Sequence, residues 1–327
     1  MELSAKIERW PLANPFTISR GSKTEAVVVT VELREAGHRG RGECVPYARY
    51  GETPERVVAA IEALRPAQRQ GLDRAALQSA MPAGAARNAL DCAFWDLAAK
   101  QAGHRVYELA GLSAPKPLET AYTISLAAPE AMAHAATQAA ARPLLKVKLG
   151  ANDGDDGTRI AAVRRAAPNV ELIVDANEGW SADNLAQNLA ACVNAGVRMI
   201  EQPLPEGDDD ALGRVERPIP VCADESIHGR ASLAALAGKY DAINVKLDKS
   251  GGLTEALALA AEAERRGFSI MVGCMVATSL AMAPAVLVAQ RAAVVDLDGA
   301  LLLAKDRSEG LGYDGSFIYP SEPSLWG

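Results

Sequence analysis

LLKVKL (144–149), VELIVDA (170–176), VRMIEQ (197–202), IPVCAD (219–224) and AINVKL (242–247) are short apolar runs that follow one another at intervals of roughly 22 to 28 residues. AYTISL (121–126) precedes them, and SIMVGC (269–274) and AAVVDL (292–297) follow. Ala-rich stretches of helical pattern fill the gaps. Ser181 is placed to cap the helix that ends near Gly196, and Gly252 and Gly267 bracket LTEALALAAEAERR. Eight strands alternating with helices predict parallel βαβ units. Such units close into a (β/α)8-type barrel or open into a doubly wound sheet. A doubly wound sheet gathers its chemistry at one switch point, whereas here ionisable residues mark at least five strand ends, which favours the barrel.

The first ~115 residues have a different texture. AVVVTVEL (26–33) is β-branched, and Gly37, Gly40 and Gly42 punctuate the stretch before Glu43, so a hairpin-like sheet is expected. Thr53-Pro54 opens a helix by capping and N1 proline. From Gly84 to Lys100, the residues Ala86, Leu90, Phe94, Leu97 and Ala98 recur at helical spacing and predict an amphipathic helix. The Asn152–Gly157 cluster, NDGDDG, misses the EF-hand register and is expected to be a solvated loop.

Composition narrows the function. The chain has 327 residues, 49% hydrophobic and 23% charged, with a net charge of −7. This is a globular balance that offers no basic footprint for nucleic acid and no polybasic membrane patch. Five scattered cysteines without a C-x-x-C pair suit a reducing compartment and no structural zinc. The N-terminal MELSAKIERW is not a signal peptide, and no apolar run reaches membrane-spanning length, so a cytoplasmic location is expected.

Charge inside apolar strands needs an explanation. Lys146 and Lys148 share one strand face; unless they lie exposed on an edge strand, their mutual repulsion is expected to lower a lysine pKa towards the range of a general base. The next three strands end in Asp175, Glu201 and Asp224, 26 and 23 residues apart. Three independent helix caps would account for them one by one. Convergence on one spot instead calls for a cation, and an all-oxygen set suits Mg²⁺ or Mn²⁺ and not zinc. Lys246, one strand further on, pairs with Asp248, is solvated, or faces the site; in an eight-strand ring it stands across from Lys148, with an amine on either side of a bound cation. Asp296 and Asp298 share a face and face either water or a positively charged substrate group. None of the four histidines (His38, His104, His134, His228) occupies such a strand end, and His228 reads as a helix-start residue.

Together these segments resemble the enolase superfamily, in particular the dipeptide epimerases of its muconate-lactonising-enzyme subgroup. The likeness runs through RGSKTEA (20–26), GEC-PY-RYGE (42–52), PAGAARNALDCA-WDLAAK (82–100), IVDANE-W (173–180), EQPLP (201–205), CADES (222–226), NVKLDKSGGLTEALALA (244–260), GCM--TS (273–279) and DLDG (296–299). The resemblance implies a modified (β/α)7β TIM-type barrel over 116–304. It implies an α+β capping domain over 1–115, completed by 305–327, with loops near 14–25 and 45–53 closing over the site. It implies Mg²⁺, with Mn²⁺ as the alternative, on Asp175, Glu201 and Asp224, and Lys148 and Lys246 as the acid/base pair. Substrate contacts are implied at Lys23, Thr123, Lys146, Met275, Asp296 and Asp298, the aspartate pair holding a free α-ammonium. The implied reaction is 1,1-proton transfer at the α-carbon of the C-terminal residue of a dipeptide, with L-Ala-D/L-Glu as the expected pair and murein-peptide recycling as its setting. N-acylamino acid racemisation, o-succinylbenzoate synthesis and muconate cycloisomerisation use the same lysines but substrates without a free ammonium; a metal-binding barrel without activity is the rival outside catalysis. Lys23 stands where glutamate-specific members carry arginine, keeping the charge without the bidentate fork. Arg20 is expected to be solvated. The resemblance leaves a homo-oligomer open.

Overall fold

A computed structural model describes all 327 residues. The β-branched N-terminal segment forms an antiparallel sheet of β1 (Glu2–Ile18), β2 (Gly21–Glu35) and β3 (His38–Cys44) in that order. β1 and β2 pair from Glu2–Arg34 to Ile18–Gly21 with a register shift between Pro11 and Phe16. Beyond the shift the hairpin leans on the rest of the chain: the Ala304 N–H donates to the Pro11 carbonyl (2.8 Å) and the Leu126 N–H to that of Thr17 (3.0 Å). Thr53 caps the Pro54–Glu62 helix through the Arg56 N–H, as its sequence predicts.

The Ala85–Ala102 helix departs from the amphipathic expectation: it is buried on nearly every side. Leu90, Phe94 and Leu97 pack on the sheet, while Cys92, Trp95 and Ala99 belong to the large core of the second domain. A helix with two cores to fill shows no single apolar stripe. Its approach to β3 is set by glycine. A Cβ on Gly40 would lie 2.3 Å from the Ala93 carbonyl oxygen, and one on Gly42 2.0 Å from that of Ala89.

Residues 121–297 build the predicted barrel. Its strands are β5 (Tyr122–Ile124), β6 (Leu144–Lys148), β7 (Glu171–Asp175), β8 (Val197–Glu201), β9 (Val221–Ala223), β10 (Ala242–Val245), β11 (Ser269–Gly273) and β12 (Val294–Asp296), parallel and neighbours in chain order. The ring closes where the Ala121 N–H donates to the Val295 carbonyl (2.8 Å) and the Leu297 N–H to Thr120 Oγ1 (2.7 Å). Ser181 caps the Ala182–Asn194 helix in a capping box with Asn184. The connection after β8 is only a 3₁₀ turn, Asp210–Gly213, and β12 is followed by another, Gly299–Leu302. A small sheet of β4 (Leu118–Glu119), β13 (Tyr313–Asp314) and β14 (Phe317–Ile318) ties the C-terminal tail to the start of the barrel. The tail also reaches the first domain: the Trp326 indole donates to the Cys92 carbonyl (3.0 Å) and Arg307 pairs with Glu8 (2.7 Å) and Glu43 (2.5 Å). No helix is long and apolar enough to cross a membrane.

Eight residues, one per strand position, close the barrel floor: Ala121, Leu144, Ile173, Met199, Cys222, Ala242, Met271 and Val294. Side chains two residues apart on a strand share a face. The next inward layer is therefore Thr123, Lys146, Asp175, Glu201, Asp224, Asn244, Gly273 and Asp296, which turns the barrel interior from apolar to polar within one step. Gly42→Ala should lower unfolding free energy by about 2 kcal/mol or more, since an added methyl meets helix backbone and not a flexible side chain. Denaturant unfolding of the two proteins measures the difference.

Candidate active site

The predicted metal ligands converge. One carboxylate oxygen each from Asp175, Glu201 and Asp224 lies within 4.8 Å of the others, and all three side chains are buried. Asp175 ends β7 and Glu201 ends β8, in register with each other; Asp224 follows β9. The backbone beyond them is tightly wound, with positive φ at Asn177, Glu178 and Gln202. These turns feed back on the strand-end acids, once at the carboxylate and once at the backbone. The Asn177 N–H donates to Asp175 Oδ1 (2.9 Å), and Gln202 Oε1 accepts the Asp224 N–H (2.8 Å).

Four ammonium groups surround the triad. Lys148 donates to Asp175 Oδ2 (2.5 Å), Lys246 to Asp224 Oδ2 (2.6 Å) and Lys249 to Asp224 Oδ1 (2.5 Å). Lys146 donates to Asp296 Oδ2 (2.7 Å) and lies 2.6 Å from Glu201 and 3.2 Å from Asp175. This overturns the expectation of a lysine pair tuned by mutual repulsion. Burial works against the charge on Lys146, but Asp296, Glu201 and Asp175 outweigh it and push its pKa well up; Asp224 and Glu201 do the same for Lys246. The acids of neighbouring strands, not the neighbouring lysine, set these values. Lys246 does not pair with Asp248, and Asp296 meets Lys146 within the protein, so a substrate group is not its sole cationic partner.

The carboxylates respond unequally. Burial would raise Asp175, but Lys148 and Lys146 hold it well below the usual range. Glu201 is pushed up to about 8 by burial and by the Asp175 charge. Its Oε2, though beside Lys146, has no hydrogen bond of good geometry. Three convergent oxygen donors, one of them under-compensated, fit a small hard divalent cation. Isothermal titration should show that Glu201→Gln weakens divalent-cation affinity by roughly ten- to a hundredfold or more.

Above the triad opens a cavity of 330 Å³ lined by Lys23, Thr123, Lys146, Lys148, Asp224, Lys246, Met275, Asp296 and Asp298. Every residue singled out as a substrate contact or acid/base group thus reaches one space; Asp175 and Glu201 lie beneath it. Asp298 Oδ2 accepts the Thr123 N–H (2.7 Å), and burial together with the Asp296 charge pushes its pKa up to about 7. Lys23 is drawn down to about 8 by burial and by the Lys148 charge, with its ammonium 5.7 Å from the Phe16 ring centre.

The loops of the first domain roof the cavity with Phe16, Arg20, Tyr47 and Tyr50. Arg20 keeps some exposure, but its guanidinium is engaged on the protein. It donates to the Asn177 carbonyl (2.8 Å), Tyr47 Oη (2.9 Å) and Glu225 Oε1 (2.6 Å), clasping the hairpin tip to two barrel loops. Arg49 adds a two-pronged bond to Glu178 at 2.9 Å each. Sequence reasoning also passed over Lys249 and Asn244, whose amide donates to Glu201 Oε1 (2.7 Å). Asn244 precedes Lys246 by two residues on the same inward phase, a signal that was there to be used.

Asp298 links the site to stability. Below about pH 4 its carboxyl is protonated folded and unfolded; between 3.8 and about 7 only the unfolded chain ionises, so stability falls as pH rises through that window. Asp298→Asn should therefore be more stable than the parent at pH 8, with the gap closing towards pH 4, when thermal unfolding is followed across that range.

Comparison with known proteins agrees with this geometry. Residues 1–111 match the mandelate racemase/muconate lactonizing enzyme N-terminal domain, and residues 130–307 the enolase C-terminal domain-like family. The L-Ala-D/L-Glu epimerase of Escherichia coli K12 is 49% identical over 309 residues, covering 94% of this chain and 95% of that protein. An N-acetyl-D-glutamate racemase from a Pseudoalteromonas species is 44% identical over 303 residues, with 92% and 95% covered. Among solved structures, an enolase family member from Agrobacterium tumefaciens with homology to dipeptide epimerases superposes with a TM-score of 0.97 at 56% identity, covering 99% of both chains; it was solved with sodium, L-Ala-L-Glu and an ordered loop. The chain belongs to the enolase superfamily, in its mandelate racemase/muconate lactonizing enzyme branch, and is one of that superfamily's isomerases.

Proposed function

We propose that the protein epimerises dipeptides at the α-carbon of their C-terminal residue, with L-Ala-D/L-Glu as the preferred pair. The observation that carries this reading is the placement of Lys148 and Lys246 on the second and sixth of eight barrel strands, opposite one another, with Asp296 and Asp298 at the side of the same cavity. Residues 1–115 with 305–327 would serve as the cap and 116–304 as the catalytic barrel.

Asp175, Glu201 and Asp224 would hold Mg²⁺, or Mn²⁺ in its place, which when bound supplies positive charge to the substrate carboxylate as the neighbouring carbon loses its proton. Lys146 adds its own fixed charge beside that carboxylate and relieves the cost of the carbanionic state where it develops. One of Lys148 and Lys246 starts as the neutral amine and takes the α-proton. The other starts as ammonium and returns a proton to the opposite face, inverting the centre. Asp224 and Glu201 beside Lys246 favour its ammonium form.

Asp296 Oδ1 has no hydrogen-bond partner within the protein and would accept the dipeptide's α-ammonium, with Asp298 alongside. Lys23 has no carboxylate partner and is placed for a glutamyl side chain; the Arg20 charge is already spent on Glu225 and Glu178. N-acetylglutamate racemisation is the second reading, favoured by the 44% identical relative. An acylated substrate brings no ammonium to the aspartate pair, which weighs for the dipeptide.

Proton NMR of L-Ala-L-Glu in D2O with enzyme and Mg²⁺ should show loss of the glutamyl α-proton signal and growth of the L-Ala-D-Glu resonances, with N-acetylglutamate slower. Exchange of N-acetylglutamate alone would sink the dipeptide assignment. Lys148→Ala and Lys246→Ala should each abolish two-way epimerisation while sparing α-proton exchange of one epimer. Lys23→Ala should raise KM for glutamyl dipeptides by roughly tenfold, with a smaller change for apolar ones.

A further inference from the structure

The two lysines are held by different parts of the molecule. Lys148 is fixed from within the barrel: it is in register with Asp175, the Leu149 N–H donates to the Asp175 carbonyl (2.9 Å), and the Gly150 N–H donates to Asp156 Oδ2 (2.7 Å). Lys246 begins the one-turn helix Leu247–Ser250, and that turn is bound to the first domain. Asp248 Oδ1 accepts the Val45 N–H (2.9 Å) and the Asn88 amide (2.9 Å). Arg87 donates to the carbonyls of Ser250 (2.7 Å) and Gly251 (3.1 Å). Gly251 and Gly252 have φ of +80° and +113°, and a Cβ on Gly252 would lie 2.5 Å from the Asp91 side chain, so the close approach of the Ala85–Ala102 helix depends on their bareness.

Val45 also starts the segment that carries Tyr47 and Tyr50 over the cavity. Glu52 closes that segment by accepting the Tyr47 N–H (3.0 Å) and the Ala85 N–H (2.8 Å) at the start of the same helix. Roof loop, helix and Lys246 turn are joined by hydrogen bonds into one unit. Lys148 makes no hydrogen bond to the first domain, its ammonium lying 5.8 Å from the Phe16 ring centre.

We propose that Asp248 is a positioning residue that fixes Lys246, and not Lys148, to the first domain through Val45 and Asn88. Alignment of one acid/base group then depends on hydrogen bonds from the cap, whereas the hydrogen bonds that align the other stay within the barrel. This rests on the two-lysine reading above. Misplacing a proton-transfer group by about an ångström costs on the order of a hundredfold, and here the cost falls on one face of the substrate only.

The test is α-proton exchange of L-Ala-L-Glu and of L-Ala-D-Glu, each followed by NMR in D2O with Mg²⁺ and the full chain. Lys246→Ala identifies the epimer whose exchange depends on Lys246. Asp248→Ala should slow exchange of that same epimer by roughly ten- to a hundredfold and change the other by no more than about twofold. Asp248→Asn keeps an acceptor oxygen in place and should restore the slowed exchange to within about threefold of the parent. If Asp248→Ala does not fold, as judged by circular dichroism melting, Asn88→Ala should give the same asymmetry at smaller size. Equal slowing of both epimers, or none, overturns the positioning role and leaves the two-lysine reading standing. Parent-rate exchange of both epimers by Lys246→Ala overturns that reading and this inference with it.

Discussion

Three carboxylates gathered at the buried ends of adjacent strands repel one another, and much of the site follows from how that repulsion is met. At the separation found here, within 4.8 Å, each like-charged pair costs about 3 kcal/mol at an effective dielectric constant of ~20. Fully ionised, three such pairs would amount to a large part of the ~5–15 kcal/mol by which a domain is stable, a cost met in part by the raised pKa of Glu201. Positive charge must therefore sit at the same depth. The barrel provides it through Lys146, Lys148, Lys246 and Lys249, each from a strand or turn that the fold brings alongside. Three of these side chains, Lys146, Lys148 and Lys246, also line the cavity, so groups that offset the repulsion include the two proposed above to move a proton.

The barrel keeps this cluster apart from what stabilises it. The floor layer is wholly apolar and fully enclosed, and it needs nothing from the layer above. One step of two residues along each strand exchanges Leu144 for Lys146, Ile173 for Asp175, Met199 for Glu201 and Val294 for Asp296. The winding after β7 and β8, with positive φ at three non-glycine residues, is confined to the rim, where the loops grip Asp175 and Asp224. Substitutions in the rim layer should therefore trade function for stability more readily than substitutions in the floor.

What could be read in advance was whatever depends on local period. The eight strands, the three terminal acids and the two opposed lysines all follow from alternation and spacing. Properties set by partners far along the chain were not legible. The pKa of Lys146 is governed by Asp296, Glu201 and Asp175, the first of them 150 residues away, so neighbouring Lys148 gave the wrong sign. Arg20 read as solvated because Asn177 and Glu225, its partners, lie 157 and 205 residues on. The Ala85–Ala102 helix read as amphipathic because its second core belongs to another domain. Asn244 is different: its inward phase was visible, but an amide carries no charge and so raised no question of burial.

Two-way epimerisation demands near-equivalence from its proton-transfer groups, yet Lys148 and Lys246, proposed above for that part, are held unequally. Lys148 belongs to the continuous hydrogen-bonded sheet, whereas Lys246 stands at a strand end whose next turn is braced by Val45, Asn88 and Arg87 from across the domain boundary. A barrel alone could hold the triad and one lysine in place. It is the first domain that hydrogen-bonds the turn of the second lysine, through a helix so close that only glycine fits between. The same domain carries Lys23 and the aromatic roof. On the proposed reading, recognition of the side chain and completion of the acid/base pair therefore travel together, and a barrel detached from its cap would lose both at once.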